Sequence, residues 1–245
     1  MPAIEIRDRV YGDYSIDEPL LIELINSRPV QRLKHIASAG ISPYILPNRD
    51  VSRYEHSVGV MKLLIDLDAP LEEQAAGLLH DVPHTAFSHV IDTVYRQSEI
   101  QDFHEKFHRK IIMESDIPAI LEKYGLHPEY ILNEEKFPLL ERKLPDLCAD
   151  RLDYSMRDTC VARNCGGQVR EFRNHLIVQN NEIIFDDKLV AFKYAVFFLD
   201  AAKNMWASAI EMAGYEIFSE AIRIGLEKGI VNEGDLFTTD EQFFA

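Results

Sequence analysis

The stretch Ala75-Ala76-Gly77-Leu78-Leu79-His80-Asp81-Val82-Pro83-His84-Thr85-Ala86-Phe87-Ser88-His89 runs as a smooth apolar helix and ends in a cluster of titratable groups. Small residues at 75–77 allow close packing, and Pro83 cannot continue a helix, so the helix is expected to stop just past His80-Asp81. Adjacent side chains on a regular helix diverge by about 100°. His80 and Asp81 can therefore share one ligand only at a helix end. Imidazole and carboxylate together suit a hard or borderline divalent ion.

Working outward, Leu20 to Leu33 reads as a helix interrupted or restarted at Pro29, and Tyr54 to Leu67 as another with Val60, Leu63, Leu64 and Leu67 on one stripe. Pro70 followed by Glu72 and Glu73 opens the helix that ends at the histidine cluster. Further helices are expected at Ser88–Tyr95, Phe103–Met113, Ile117–Tyr124, Leu144–Arg157 and, with a break allowed, Lys188–Gly225, while Gly166-Gly167 is expected in a loop. Apolar runs flanking Asn180-Asn181 read as a hairpin over Leu176–Phe185. The expectation is an all-α fold with one small β appendage, in a single domain spanning 1–245.

Composition narrows the partners. With 41 acidic against 26 basic residues the net charge is -15, which repels polyanions and leaves no basic stripe for a duplex, so nucleic acid is not an expected partner. No apolar run approaches the ~20 residues of a membrane span, and Met1-Pro2-Ala3-Ile4-Glu5 lacks a signal-peptide layout, which points to the cytoplasm. Cys148, Cys160 and Cys165 are odd in number and lack CxxC spacing, favouring reduced thiols over a disulfide framework.

Three blocks in order carry a resemblance: Arg53-Tyr54-Glu55-His56-Ser57-Val58-Gly59-Val60, then His80-Asp81-x-x-His84 with Phe87-Ser88-His89, then Asp150-Arg151-Leu152-Asp153-Tyr154-Ser155-Met156-Arg157-Asp158. Together they resemble the HD-domain metal-dependent phosphohydrolases, and more narrowly the branch containing deoxynucleoside triphosphate triphosphohydrolases. The resemblance implies the helical HD fold, with His56, His80, Asp81 and Asp150 as ligands of one divalent ion, whether manganese, iron, zinc, cobalt, nickel or magnesium. It implies His84 and His104 as proton-transfer groups and Asp92 as the carboxylate that supports such a histidine. It implies Arg53, Arg151, Tyr154 and Asp158 as contacts to a small phosphate substrate of nucleotide type. Asp150, Tyr154, Arg157 and Asp158 fall near one helical face at i, i+4, i+7 and i+8. Asp153 and Arg157, at i and i+4, are expected to pair on the solvent side.

The sequence departs from the branch where the substrate would be gripped. The helix after the hairpin carries Phe197-Phe198-Leu199-Asp200-Ala201-Ala202-Lys203-Asn204-Met205-Trp206-Ala207-Ser208, in which Lys203 alone keeps the basic character the family places there. A triphosphate carries about four negative charges, and each lost charge-assisted contact is worth ~1.5–3 kcal/mol. The leading expectation is a phosphohydrolase on a nucleotide-like ester or anhydride. Alternatives are a monophosphatase or phosphodiesterase on the same site, or a non-catalytic nucleotide-sensing module. A homodimer is compatible with the helical surface.

Overall fold

The computed structural model describes residues 1–95 and 105–245, the side chains of Glu105 and Lys106 excepted. The described residues form a helical body with two small antiparallel hairpins. The first hairpin, β1 (Ile4–Asp8) with β2 (Gly12–Ile16), is an addition to the sequence reading, because its alternation of Ile4, Glu5 and Ile6 is too short to stand out. The second, β3 (Leu176–Gln179) with β4 (Glu182–Phe185), turns at Asn180-Asn181, both with positive φ (54° and 59°), as a tight two-residue hairpin requires.

The amino-terminal helices are α1 (Pro19–Ile25) and α2 (Arg28–Arg32), separate because Ser27 is extended and Pro29 fits only a first turn. The next two position the site. α3 (Arg53–Asp66) opens on a reciprocal cap: Ser52 Oγ accepts from Glu55 N at 3.2 Å and Glu55 Oε2 accepts from Ser52 N at 3.1 Å, a device worth about 1 kcal/mol. It sets Arg53 at the first helical position and His56 one turn later. α4 (Leu71–Leu79) lies against α3 so closely that a Cβ on Gly77 would stand 2.5 Å from Leu64 Cδ1. The small residues at 75–77 serve the close packing expected of them.

Downstream come α5 (Val90–Val94), α6 (Glu105–Met113), α7 (Ile117–Lys123), α8 (Pro128–Ile131), α9 (Ala149–Arg163) and α10 (Gly166–Asn174). α9 corrects the expected Leu144–Arg157 span at both ends. Pro145 keeps the preceding segment out of the helix, and the run continues until Asn164 adopts the left-handed conformation (φ 54°) at its carboxyl end. Gly166-Gly167 begins α10 rather than a loop, since burial of Val169 and Phe172 outweighs the poor helix propensity of glycine. The long helix expected over Lys188–Gly225 is α11 (Lys188–Ala201), a π-turn at Ala202–Trp206, and α12 (Ala209–Glu227) capped by Ser208. α13 (Asp240–Phe243) closes the chain.

A main core gathers Leu20, Leu24, Leu33, Leu64, Leu78, Leu152 and Met156 between α1, α3, α4 and α9. A second, built from Phe87, Val90, Ile91, Ile222 and Leu236, lies beneath the loop carrying His84 and His89. The titratable cluster is thus flanked by apolar packing on two sides. Among the described residues no helix is long and apolar enough to cross a membrane.

Candidate metal centre

α4 ends at Leu79, and His80-Asp81 sits in the turn beyond it. The turn removes the helical divergence of the two side chains: His80 Nε2 stands 3.5 Å from Asp81 Oδ1. α3 contributes His56, whose Nε2 lies 2.9 Å from Asp150 Oδ1 and 3.7 Å from Asp81 Oδ2. Asp150 enters from the first turn of α9, and its Oδ1 is 3.4 Å from His80 Nε2. His56, His80 and Asp81 offer ligand atoms within 4.8 Å of one another, and Asp150 adjoins both imidazoles.

The donor set fits a divalent ion on one specific observation. His80 Nδ1–H is committed to the Gly77 carbonyl at 2.7 Å, so Nε2 carries the lone pair; that atom is buried, without a hydrogen-bond partner, and faces two carboxylates. A lone pair aimed at anions is unfavourable unless a cation stands between them. Without such an ion, protons take its place. Burial alone would lower the His56 pKa, but hydrogen bonds to Asp150 and Asp153 and the charge of Asp81 outweigh it and raise the value to about 10. His80 is raised likewise to about 9, the charge of Asp81 and the contact with Asp150 overcoming burial. Asp81 is held well below the usual carboxylate range, its burial outweighed by Arg53, His80 and His84.

Asp153 is a partner the sequence reading missed. Its pairing with Arg157 is real, but the expectation of a solvent-side pair is wrong: both side chains have no exposed surface. Asp153 Oδ2 accepts from His56 Nδ1 at 2.8 Å and from Arg157 Nε at 2.8 Å, Oδ1 accepts from Arg157 Nη2 at 3.0 Å, and Arg157 also pairs with Asp8 of β1 at 3.0 Å. A carboxylate on Nδ1 orients His56 and leaves Nε2 facing Asp81 and Asp150. The glycine three residues beyond His56 makes the contact possible, since a Cβ on Gly59 would stand 2.1 Å from Arg157 Nη2 and 2.2 Å from Asp153 Oδ1. A glycine inside a helical pattern, three residues after a motif histidine, was the available signal, and only the approach of α9 gives it meaning.

The remaining candidates divide by position. Arg53 is buried, its Nη1 2.8 Å from Asp81 Oδ2 and its Nε donating to Ser88 Oγ at 3.0 Å. His84 is buried, with Nε2 3.2 Å from Asp81 Oδ1 and its ring edge-on to His89, centroids 4.9 Å apart. Asp92, fully buried on α5, accepts from His89 Nδ1 at 3.0 Å. The loop between them holds Phe87 and Ser88 at φ 57° and 49°, a strained pair pinned by Asp240 Oδ1, which accepts from Phe87 N at 2.7 Å, and by the contact of Ser88 Oγ with the Ala37 carbonyl. Asp158 Oδ2 accepts from Trp206 Nε1 at 3.0 Å, and burial pushes its pKa up; Tyr154 packs edge-on to the same indole at 5.3 Å. Arg151 is turned to structural partners, donating to the Asp146 and Arg142 carbonyls at 2.6 and 2.9 Å and to Cys148 Sγ at 3.2 Å. Burial and the nearby Asp150 and Glu141 charges push the Cys148 thiol up to about 12, so it is a poor nucleophile. His104 lies outside the described residues.

The HD domain family matches residues 53–157, which includes every proposed ligand. The chain is 39% identical over 241 residues to the uncharacterized protein YdhJ of Bacillus subtilis, covering 98% of this chain and 74% of that one. It is 33% identical over 250 residues to the metal-dependent phosphohydrolase cns2 of Cordyceps militaris, covering 99% and 72%. A solved structure, a hypothetical protein from Aquifex aeolicus, shares the fold at a TM-score of 0.73 and 23% identity, over 98% of this chain and 70% of that one. On its sequence match, on relatives aligned over nearly its full length and on its helical architecture, this chain belongs to the HD-domain metal-dependent phosphohydrolases.

Proposed function

We propose that the protein hydrolyses a phosphate ester or anhydride of a small nucleotide-like molecule, with His56, His80, Asp81 and Asp150 holding one divalent ion. When bound, that ion supplies Lewis-acid polarisation of a phosphoryl oxygen and a countercharge for the negative charge that builds there. The observation carrying this reading is the partnerless, buried Nε2 of His80 facing Asp81 and Asp150. Asp153 fixes the ring of His56, and the Gly77 carbonyl fixes that of His80.

Arg53 brings a buried positive charge beside Asp81, where it offsets part of the charge of an incoming phosphate. His84, 3.2 Å from Asp81, holds a proton beside the ligand set and delivers it to the leaving oxygen, with His104 as the second candidate for that role. Asp92 fixes the His89 ring that packs on His84. Tyr154 and Asp158 form the side that takes the flat, hydroxyl-bearing end of the substrate; Asp158 has one oxygen on Trp206 and one for a substrate hydroxyl. Arg151, clamped on backbone carbonyls, contributes charge rather than a direct grip.

A short phosphate chain is favoured over a triphosphate. Arg163 is paired with Asp200, and the π-turn offers Lys203 as its one cation, so the far phosphates of a triphosphate gain little. The test is phosphate release from nucleoside mono-, di- and triphosphates with each divalent metal, comparing the parent with Asp81→Ala and separating orthophosphate from triphosphate. Metal-dependent orthophosphate release abolished in the variant supports the proposal. Release of intact triphosphate would instead place the activity with the triphosphohydrolases. Silence across the panel with metal bound would favour a sensing module.

A further inference from the structure

α11 carries an apolar stripe on its outer face as well as its inner one. Leu189 is 62% exposed, Phe192 66%, Val196 50% and Leu199 67%, at spacings of three, four and three residues, the spacing of a helix-to-helix seam. Its inner face is already used: Val190, Tyr194 and Phe197 are buried, and Tyr194 Oη lies 2.8 Å from Ser155 Oγ of α9. Each outer side chain shows on the order of 100 Å² of surface, so the stripe is about 400 Å², as large as the biggest apolar patch of a typical monomer.

The order of residues identifies what covers it. About a centre at Tyr194, Leu189 mirrors Leu199 and Phe192 mirrors Val196. Reversed, the stripe is therefore its own complement in apolar contacts. A two-fold contact needs this self-complementarity, and an unrelated partner does not. Exposed Ala195, beside the centre, permits close approach. We propose that α11 is the interface of a homodimer, packed antiparallel on the α11 of a second copy, with Leu189 against Leu199 of the other chain and Phe192 against Val196. The stripe supplies about half of the ~800 Å² per partner of a standard interface. The groove alongside it, about 370 Å³ and lined by Arg163, Gln168, Lys193 and Phe192, supplies the rim. This inference stands independently of the proposed chemistry.

Sedimentation velocity on the full chain across the micromolar range tests it. The parent is expected as a dimer and Phe192→Glu, a change at an exposed position, as a monomer with unchanged helical circular dichroism. Cysteine cross-linking tests the register. Under mild oxidation a mixture of Leu189→Cys and Leu199→Cys chains should form a disulfide-linked pair above the parent's background, and neither variant alone should. A monomeric parent, a dimer that survives Phe192→Glu, or cross-linking within either single variant would overturn the proposal.

Discussion

Asp153→Asn tests whether the buried carboxylate serves the metal centre as well as the fold. Its two oxygens take one bond from His56 and two from Arg157, all between 2.8 and 3.0 Å, with no solvent access. An amide keeps the shape, loses the charge and turns an N–H toward a donor. Removing one partner from a buried ion pair costs ~3–5 kcal/mol, and Asp8 remains on Arg157, so the lower end, about 3 kcal/mol, is expected. For a chain of this size that is a fall of about 6–12 °C in Tm, read by calorimetry in chelator. Loss of the carboxylate that orients a ligating imidazole weakens metal binding by about 10–100-fold, read by calorimetric titration with manganese. Arg157→Lys separates the two effects: stability falls while the affinity stays near the parent's, because His56 keeps Asp153. If Asp153→Asn is destabilised yet binds manganese as tightly as the parent, the carboxylate serves the fold alone and the reasoning fails.

Gly59→Ala should lower stability by about 1–3 kcal/mol, since its Cβ would press on Arg157 and Asp153, and thermal unfolding measures it. Burial, with the charge of His80, depresses His108 to about 4, so its neutral form favours the fold; this stability is complete above pH ~6.5 and declines as the pH falls toward 4, by about 3 kcal/mol in all. Urea unfolding of His108→Gln at a series of pH values should show a shallower acid slope than the parent. Trp206→Phe keeps the ring against Tyr154 but removes the donor that orients Asp158, so KM should rise severalfold with kcat nearly kept; steady-state kinetics on the best substrate of the panel checks the split.

Signals that act within one helix or turn were legible in the sequence. Pro83 and the small residues at 75–77 located the end of α4, and Asn180-Asn181 located the second hairpin, because chain stiffness and steric size are properties of neighbouring residues. The ordered motif blocks located His56, His80, Asp81 and Asp150, which the fold brings together from α3, the turn after α4, and α9. What the sequence hid depends on distant partners. Asp153 and Arg157 look like a surface pair at i and i+4 until the approach of Gly59 from α3 and Asp8 from β1 encloses them. Arg151 carries a motif position, yet the course of the 142–146 segment turns its guanidinium to backbone carbonyls.

Trp206 is the sole tryptophan in the chain, and its indole nitrogen is bonded to Asp158 while its ring meets Tyr154 and Phe198. The intrinsic emission of the protein therefore comes from one place, beside two of the proposed substrate contacts. A ligand that contacts Asp158 or stacks near Tyr154 changes the polarity around that fluorophore and shifts its spectrum. Binding can be followed optically in the unlabelled protein, including in variants that no longer turn over.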